Sequence, residues 1–92
     1  MSDEPTAGIP RTSQRVLEHI SANLLGARQD AGLTQEQLAE RSELHPTQIK
    51  RLERGATLPR IDTVVRLAGA LDVPPGELCA GVVWDVERQR FE

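Results

Sequence analysis

The stretch His45-Pro46-Thr47-Gln48-Ile49-Lys50-Arg51-Leu52-Glu53-Arg54-Gly55 decides how the rest of this 92-residue chain is read. Pro46 suits a first helical position, where its missing N–H would have no partner anyway. Gly55 stands where a left-handed residue ends a helix without a Cβ penalty. The spacing therefore predicts a short helix over 46–54. Ile49 and Leu52, three apart, share its inward face. Thr47, Lys50, Arg51 and Arg54 recur at i, i+3, i+4 and i+7 on the opposite face. That outward stripe holds three cations, one hydroxyl and no carboxylate, a surface suited to a polyanion.

The whole chain carries a formal charge of −3, which at first argues against nucleic acid. Its distribution matters more. Residues 45–60 set Lys50, Arg51, Arg54 and Arg60 against Glu53 alone, whereas both flanking segments are net acidic. The positive charge is thus gathered in the window that holds the quoted helix. A local basic patch can steer DNA even on an acidic protein, at the cost of weak non-specific affinity.

Composition sets the outer bounds. Ninety-two residues at 38% hydrophobic form one small domain with a thin aliphatic core, which dimerisation would supplement. Trp84 and Phe91 are the aromatics, and Cys79 is the one cysteine. A lone cysteine excludes an internal disulfide framework and fits a reducing, cytoplasmic setting. No apolar run approaches a membrane span, and no signal-peptide h-region is seen at the N-terminus. His19 and His45 lie far apart, and no Cys, His, Asp or Glu cluster has metal-ligand spacing. With no Ser/His/Asp constellation, phosphate-cradling Gly loop or paired carboxylates, neither an enzyme nor a cofactor is expected.

Working outward, only Glu43-Leu44-His45 separate the quoted helix from the signal before it. Thr34 can cap a helix from Gln35 to Ser42, Gln37 completes a capping box, and Leu33 can staple onto Leu38. Two short helices joined by three residues have helix-turn-helix spacing. Further upstream, Ser13 is an N-cap for a helix over about 14–31, with Val16, Leu17, Ile20, Leu24, Ala27 and Ala31 on one face. Residues 1–12, rich in Pro, Gly and small polar side chains, read as a disordered arm.

Downstream, Ala56 to Pro59 form a loop. Ile61, Val64, Val65, Leu67, Ala68 and Leu71 stripe a fourth helix, and Pro75 starts a fifth through Leu78 and Cys79. The tail, residues 81–92, is β-prone, with Val82, Trp84 and Val86 on one side. A lone strand is not stable, so this one either lays Trp84 over the helical core near Leu71 and Leu78 or pairs with a second copy.

Gly32-Leu33-Thr34-Gln35-Glu36-Gln37-Leu38-Ala39-Glu40, Ile49-Lys50-Arg51-Leu52-Glu53-Arg54-Gly55, Pro59, Asp62-Thr63-Val64 and Leu67-Ala68-Gly69-Ala70-Leu71-Asp72-Val73 resemble, in order and spacing, the phage-repressor and Cro-like (XRE-type) helix-turn-helix family. With Glu77-Leu78 the likeness covers residues 20–80. It implies an all-α, five-helix lambda-repressor-like fold over residues 13–80, followed by the short β-prone tail. It also implies a DNA-binding transcriptional regulator of a prokaryotic or phage setting. By position, Gln35 matches a residue that binds a DNA phosphate. Pro46, Thr47, Gln48 and Arg51 match positions that reach base edges, with Lys50 beside them, and Arg54 with the following loop lies near the backbone. Arg28 and Glu53 match a buried salt-bridged pair. Three residues depart from the pattern: Glu43 and Asp72 stand where glycine is usual, and His45 where Ser or Thr caps.

Residue chemistry adds to this. Arg51 can bond bidentately to guanine O6 and N7, Gln48 can read adenine, and Thr47 can touch a thymine methyl. Lys50 and Arg54 suit phosphate, which positions without specifying sequence. Pro46 can make only apolar contact. Gln35 at a helix N-terminus can hold an anion together with the free N–H groups there. The expected partners are double-stranded DNA and a second copy of the chain on a palindromic operator. The alternative is an antitoxin-like interaction module whose tail docks another protein.

Overall fold

The computed structural model describes residues 11–92. Ahead of the first helix, Arg11–Ser13 form a 3-10 turn, so Ser13 (φ −94°, ψ 2°) makes no side-chain cap hydrogen bond. Continuous winding into the helix thus replaces the cap expected at Ser13, and Arg11 and Thr12, the end of the expected arm, lie in this turn. The rest of that arm lies outside the described residues.

Five helices follow: α1 (Gln14–Asp30), α2 (Gln35–Ser42), α3 (Pro46–Glu53), α4 (Ile61–Leu71) and α5 (Pro75–Leu78). Each supplies one large, fully buried side chain to a single core: Leu24, Leu38, Ile49, Leu67 and Leu78 in turn. Burial of such a side chain stabilises by roughly 1.5–3 kcal/mol, so α2 and α3, at eight residues each, are held by packing rather than propensity. On α1 the stripe ends early, because Ala31 lies beyond the helix and is exposed. On α4 the core face is Val64, Leu67, Ala68 and Leu71, while Ile61 and Val65 are 79% and 51% exposed.

The first four helices stop in the same way. Leu33 N–H donates to Arg28 O, Leu44 to Ala39 O, Ala56 to Arg51 O and Val73 to Ala68 O, over 2.9–3.2 Å. In each case the residue before the donor is left-handed: Gly32, Glu43, Gly55 and Asp72, at φ between 56° and 72°. These are Schellman closures, and each donor residue packs an apolar side chain inward, Leu33, Leu44 and Val73 against the main core. Glu43 and Asp72 therefore hold the glycine conformation at a cost of about 1 kcal/mol each.

The tail is not a lone strand. β1 (Trp84–Asp85) pairs antiparallel with β2 (Arg90–Phe91), with Trp84 opposite Phe91 and their rings edge-to-face at 4.9 Å. Asp85 Oδ1 accepts from Glu87 N (2.9 Å) and Arg88 N (3.1 Å), which builds the turn, and Gln89 closes it at φ 53°. Val82, Trp84 and Val86 consequently do not share a strand face, since Val86 sits in the turn and is 71% exposed. Trp84 packs on Phe91 and is not among the residues lying against the main core. Asn23 of α1 ties down the approach to the hairpin, its Nδ2 donating to Leu78 O (3.2 Å) and Ala80 O (2.9 Å).

Candidate nucleic-acid interface

The angle of α3 is set at its start. Glu43 turns the chain, and His45 becomes the N-cap, its Nδ1 accepting from Thr47 N at 3.1 Å. In return Gln48 Oε1 accepts from His45 N at 3.2 Å, so imidazole and amide close a reciprocal box of the kind Thr34 and Gln37 make on α2. Imidazole is thus a working cap here.

With Ile49 and Leu52 buried, Thr47, Gln48, Lys50, Arg51 and Arg54 all face solvent, and Pro46 is half-buried at the first position. Among the described residues, Lys50, Arg51 and Arg54 form no ion pair. Arg54 lies just past the helix, at the C-cap. A cavity of about 280 Å³ opens beside the helix, lined by Gln48, Arg51, Thr57, Arg60 and Thr63.

Glu53, the one acid of the basic window, is removed from this surface. Its side chain is 5% exposed and its carboxylate receives Arg28 Nε at 2.6 Å and Arg28 Nη2 at 3.0 Å. Arg28 Nη1 donates in addition to Leu33 O at 2.9 Å. The hydrogen bond to Glu53, and then its charge, hold the Arg28 guanidinium above its ordinary range against the opposing effect of burial. Gln35 joins the pair, its Nε2 donating to Glu53 Oε1 at 2.9 Å. The side chain read as a phosphate ligand is thus anchored to α3 by one of its own N–H groups.

Residues 25–78 match the helix-turn-helix family HTH_3. The chain belongs to that family.

The chain is 38% identical over 56 residues to an uncharacterized HTH-type transcriptional regulator, y4dL, of Sinorhizobium fredii (strain NBRC 101917 / NGR234). The match takes in 61% of this chain and 29% of that relative's length. Among solved structures it resembles the restriction-modification controller protein C.AhdI from Aeromonas hydrophila, at 35% identity and TM-score 0.66, covering 67% of this chain and 94% of that one. It also resembles the hypothetical transcription factor NHTF from Neisseria, at 25% identity and TM-score 0.68, covering 79% and 83% respectively. Among the described residues no group of His, Cys, Asp and Glu is placed to hold a metal, and no helix is long and apolar enough to cross a membrane.

Two features of this helix-turn-helix interface escape sequence reasoning. The place of His45 at the cap is legible in the sequence, but that its imidazole turns an acceptor nitrogen onto Thr47 N is not. The third member of the Arg28–Glu53 pair, Gln35, has only its place at a helix start as a signal, which points to an anion outside the protein rather than one inside.

Proposed function

We propose that this protein is a sequence-specific DNA-binding transcriptional regulator that inserts α3 into the major groove. The observation that carries the reading is the segregation of charge across α3. Its one carboxylate is buried against Arg28, while Lys50, Arg51 and the adjoining Arg54 face outward and, among the described residues, form no ion pair. In that geometry Arg51 and Thr47 meet base edges, and Lys50 and Arg54 lie beside phosphates. The N-terminus of α2, with the remaining capacity of Gln35, faces the backbone of one strand.

An eight-residue reading helix reaches only a few base pairs, and each contributes about 1–3 kcal/mol of discrimination. A homodimer doubles that number on a palindromic operator, its two reading helices one DNA turn, about 34 Å, apart. Exposed apolar side chains support such pairing: Ile61 and Val65 on α4, and Val83, Trp84 and Val86 around the hairpin. The tail pairs with the second copy through the free side of that hairpin rather than as a single strand. Docking of a different protein on the same residues is the other reading they support.

The test is selection from a random-sequence duplex pool at two salt concentrations. Enrichment of a palindrome, with affinity falling steeply in salt and lost in Arg51→Ala, is the expected outcome. No enrichment, and weak binding unchanged by Arg51→Ala, would sink the proposal. Sedimentation of the full chain against a 1–81 truncation examines the tail, and equal association states for both would remove it from the dimer.

A further inference from the structure

Gln48 is exposed on the outward side of α3 beside Arg51, where glutamine would ordinarily read adenine by offering its carbonyl oxygen to N6 and its amide nitrogen to N7. Here the oxygen is already engaged. The group that meets His45 N at 3.2 Å must be an acceptor, because a backbone N–H can only donate. That contact fixes which end of the amide faces the protein: Oε1 turns back to the N-cap and Nε2 points away. Among the described residues Nε2 donates no hydrogen bond. The opposite face of the box is equally fixed, since His45 Nδ1 holds Thr47 N. Rotating Gln48 outward to engage adenine with both atoms would strip His45 N–H of its partner just as a groove closes over it and excludes water.

We propose that Gln48 is a specificity-determining residue that reads its base position with a single N–H donor. It selects guanine there, whose O6 and N7 both accept, over either orientation of an A·T pair, whose adenine N6 donor would go unpaired. The inference rests on the DNA-binding reading above. It assigns the polarity of one contact within it: the capping box that starts the reading helix also sets what one of its side chains can recognise.

The substitution Gln48→Glu would preserve the box and invert the outward group. A carboxylate accepts from His45 N as well as an amide does, and capping boxes close with Glu as readily as with Gln, but its second oxygen can only accept. The experiment is duplex selection with wild type, Gln48→Ala and Gln48→Glu, with thermal melting of each protein. Gln48→Ala locates the position by erasing preference at one base pair per half-site. There, wild type is expected to enrich a G·C pair, and Gln48→Glu to enrich that pair reversed, with cytosine N4 in place of guanine on the same strand, or an A·T pair, whose adenine N6 can donate. The remaining positions stay as in wild type, and all three proteins melt cooperatively. An A·T pair enriched by wild type at that position, in either orientation, would overturn the proposal, as would an unchanged preference in Gln48→Glu. Failure of wild type to enrich any sequence is a separate result, and overturns the DNA-binding reading together with this one.

Discussion

Removal of Arg28 while Glu53 stays in place is the perturbation that the fold should tolerate least. Glu53, 5% exposed, receives three hydrogen bonds, two from the guanidinium at 2.6 and 3.0 Å and one from Gln35 Nε2 at 2.9 Å. Arg28→Met keeps much of the stem's apolar volume but leaves a buried carboxylate with one neutral donor. It also takes a partner from the Leu33 carbonyl. An uncompensated buried charge costs about 3–5 kcal/mol. The lower end applies, because Arg28 is 14% exposed and Gln35 stays in place. At about 4–8 °C per kcal/mol for a domain of this size, Tm should fall by at least about 12 °C. Arg28→Met combined with Glu53→Leu should recover most of the loss, coming within about 1 kcal/mol of wild type, because matched apolar groups escape the desolvation cost. A double-mutant cycle by urea denaturation then gives a coupling of about 2 kcal/mol or more. If Arg28→Met costs less than about 1 kcal/mol, or the double variant loses the sum of the singles, the pair is solvated and does not lock α1 to α3.

Three further outcomes follow from particular residues. Glu43→Gly and Asp72→Gly each relieve a left-handed side chain and should raise stability by about 0.5–1 kcal/mol in denaturant melts. Gly81→Ala should loosen the junction between α5 and the hairpin, because a Cβ there would lie 2.9 Å from His19 Nδ1 at a φ of 89°; proteolysis after residue 81 should then accelerate. The Asp85 carboxyl is held below the usual carboxylate range, first by the Arg88 backbone N–H, then by the Glu87 N–H and the Arg90 charge. A folded value below the unfolded one means that the hairpin gains stability above the ordinary aspartate range and loses it as pH falls through the depressed value. Fluorescence of Trp84, the one tryptophan, should report hairpin loss on acidification below the usual aspartate range, and Asp85→Ala should abolish that transition.

The reading helix and its neighbour are legible in the sequence because their signals are local. Thr34 and Gln37, Pro46 and Gly55 sit within one turn of the boundaries they set, and Ile49 and Leu52 mark the inward face. The place of Glu43 and Asp72 in left-handed closures is legible only through family position, since neither residue is a favoured one there. The tail misleads for the converse reason. Its turn, residues 86–89, carries no Asn-Gly or Asp-Gly signal, and it is built from an aspartate side chain and a left-handed Gln89. Without that turn Arg90–Phe91 does not read as a second strand, and Trp84 is left looking for a partner it already has. Ile61 and Val65 fall on the predicted core stripe of α4 yet are exposed, because apolar identity marks the stripe but not how wide a face the neighbours cover.

The most direct measurement is methylation interference on the selected duplex, since it asks which groove the protein occupies. Methyl groups at guanine N7 stand in the major groove, and those at adenine N3 in the minor groove. With α3 in the major groove, N7 methylation at one or two guanines in each half-site should block binding, and Arg51→Ala should lose the strongest of these effects. Interference at adenine N3 alone, or none in either groove, would contradict the placement of α3.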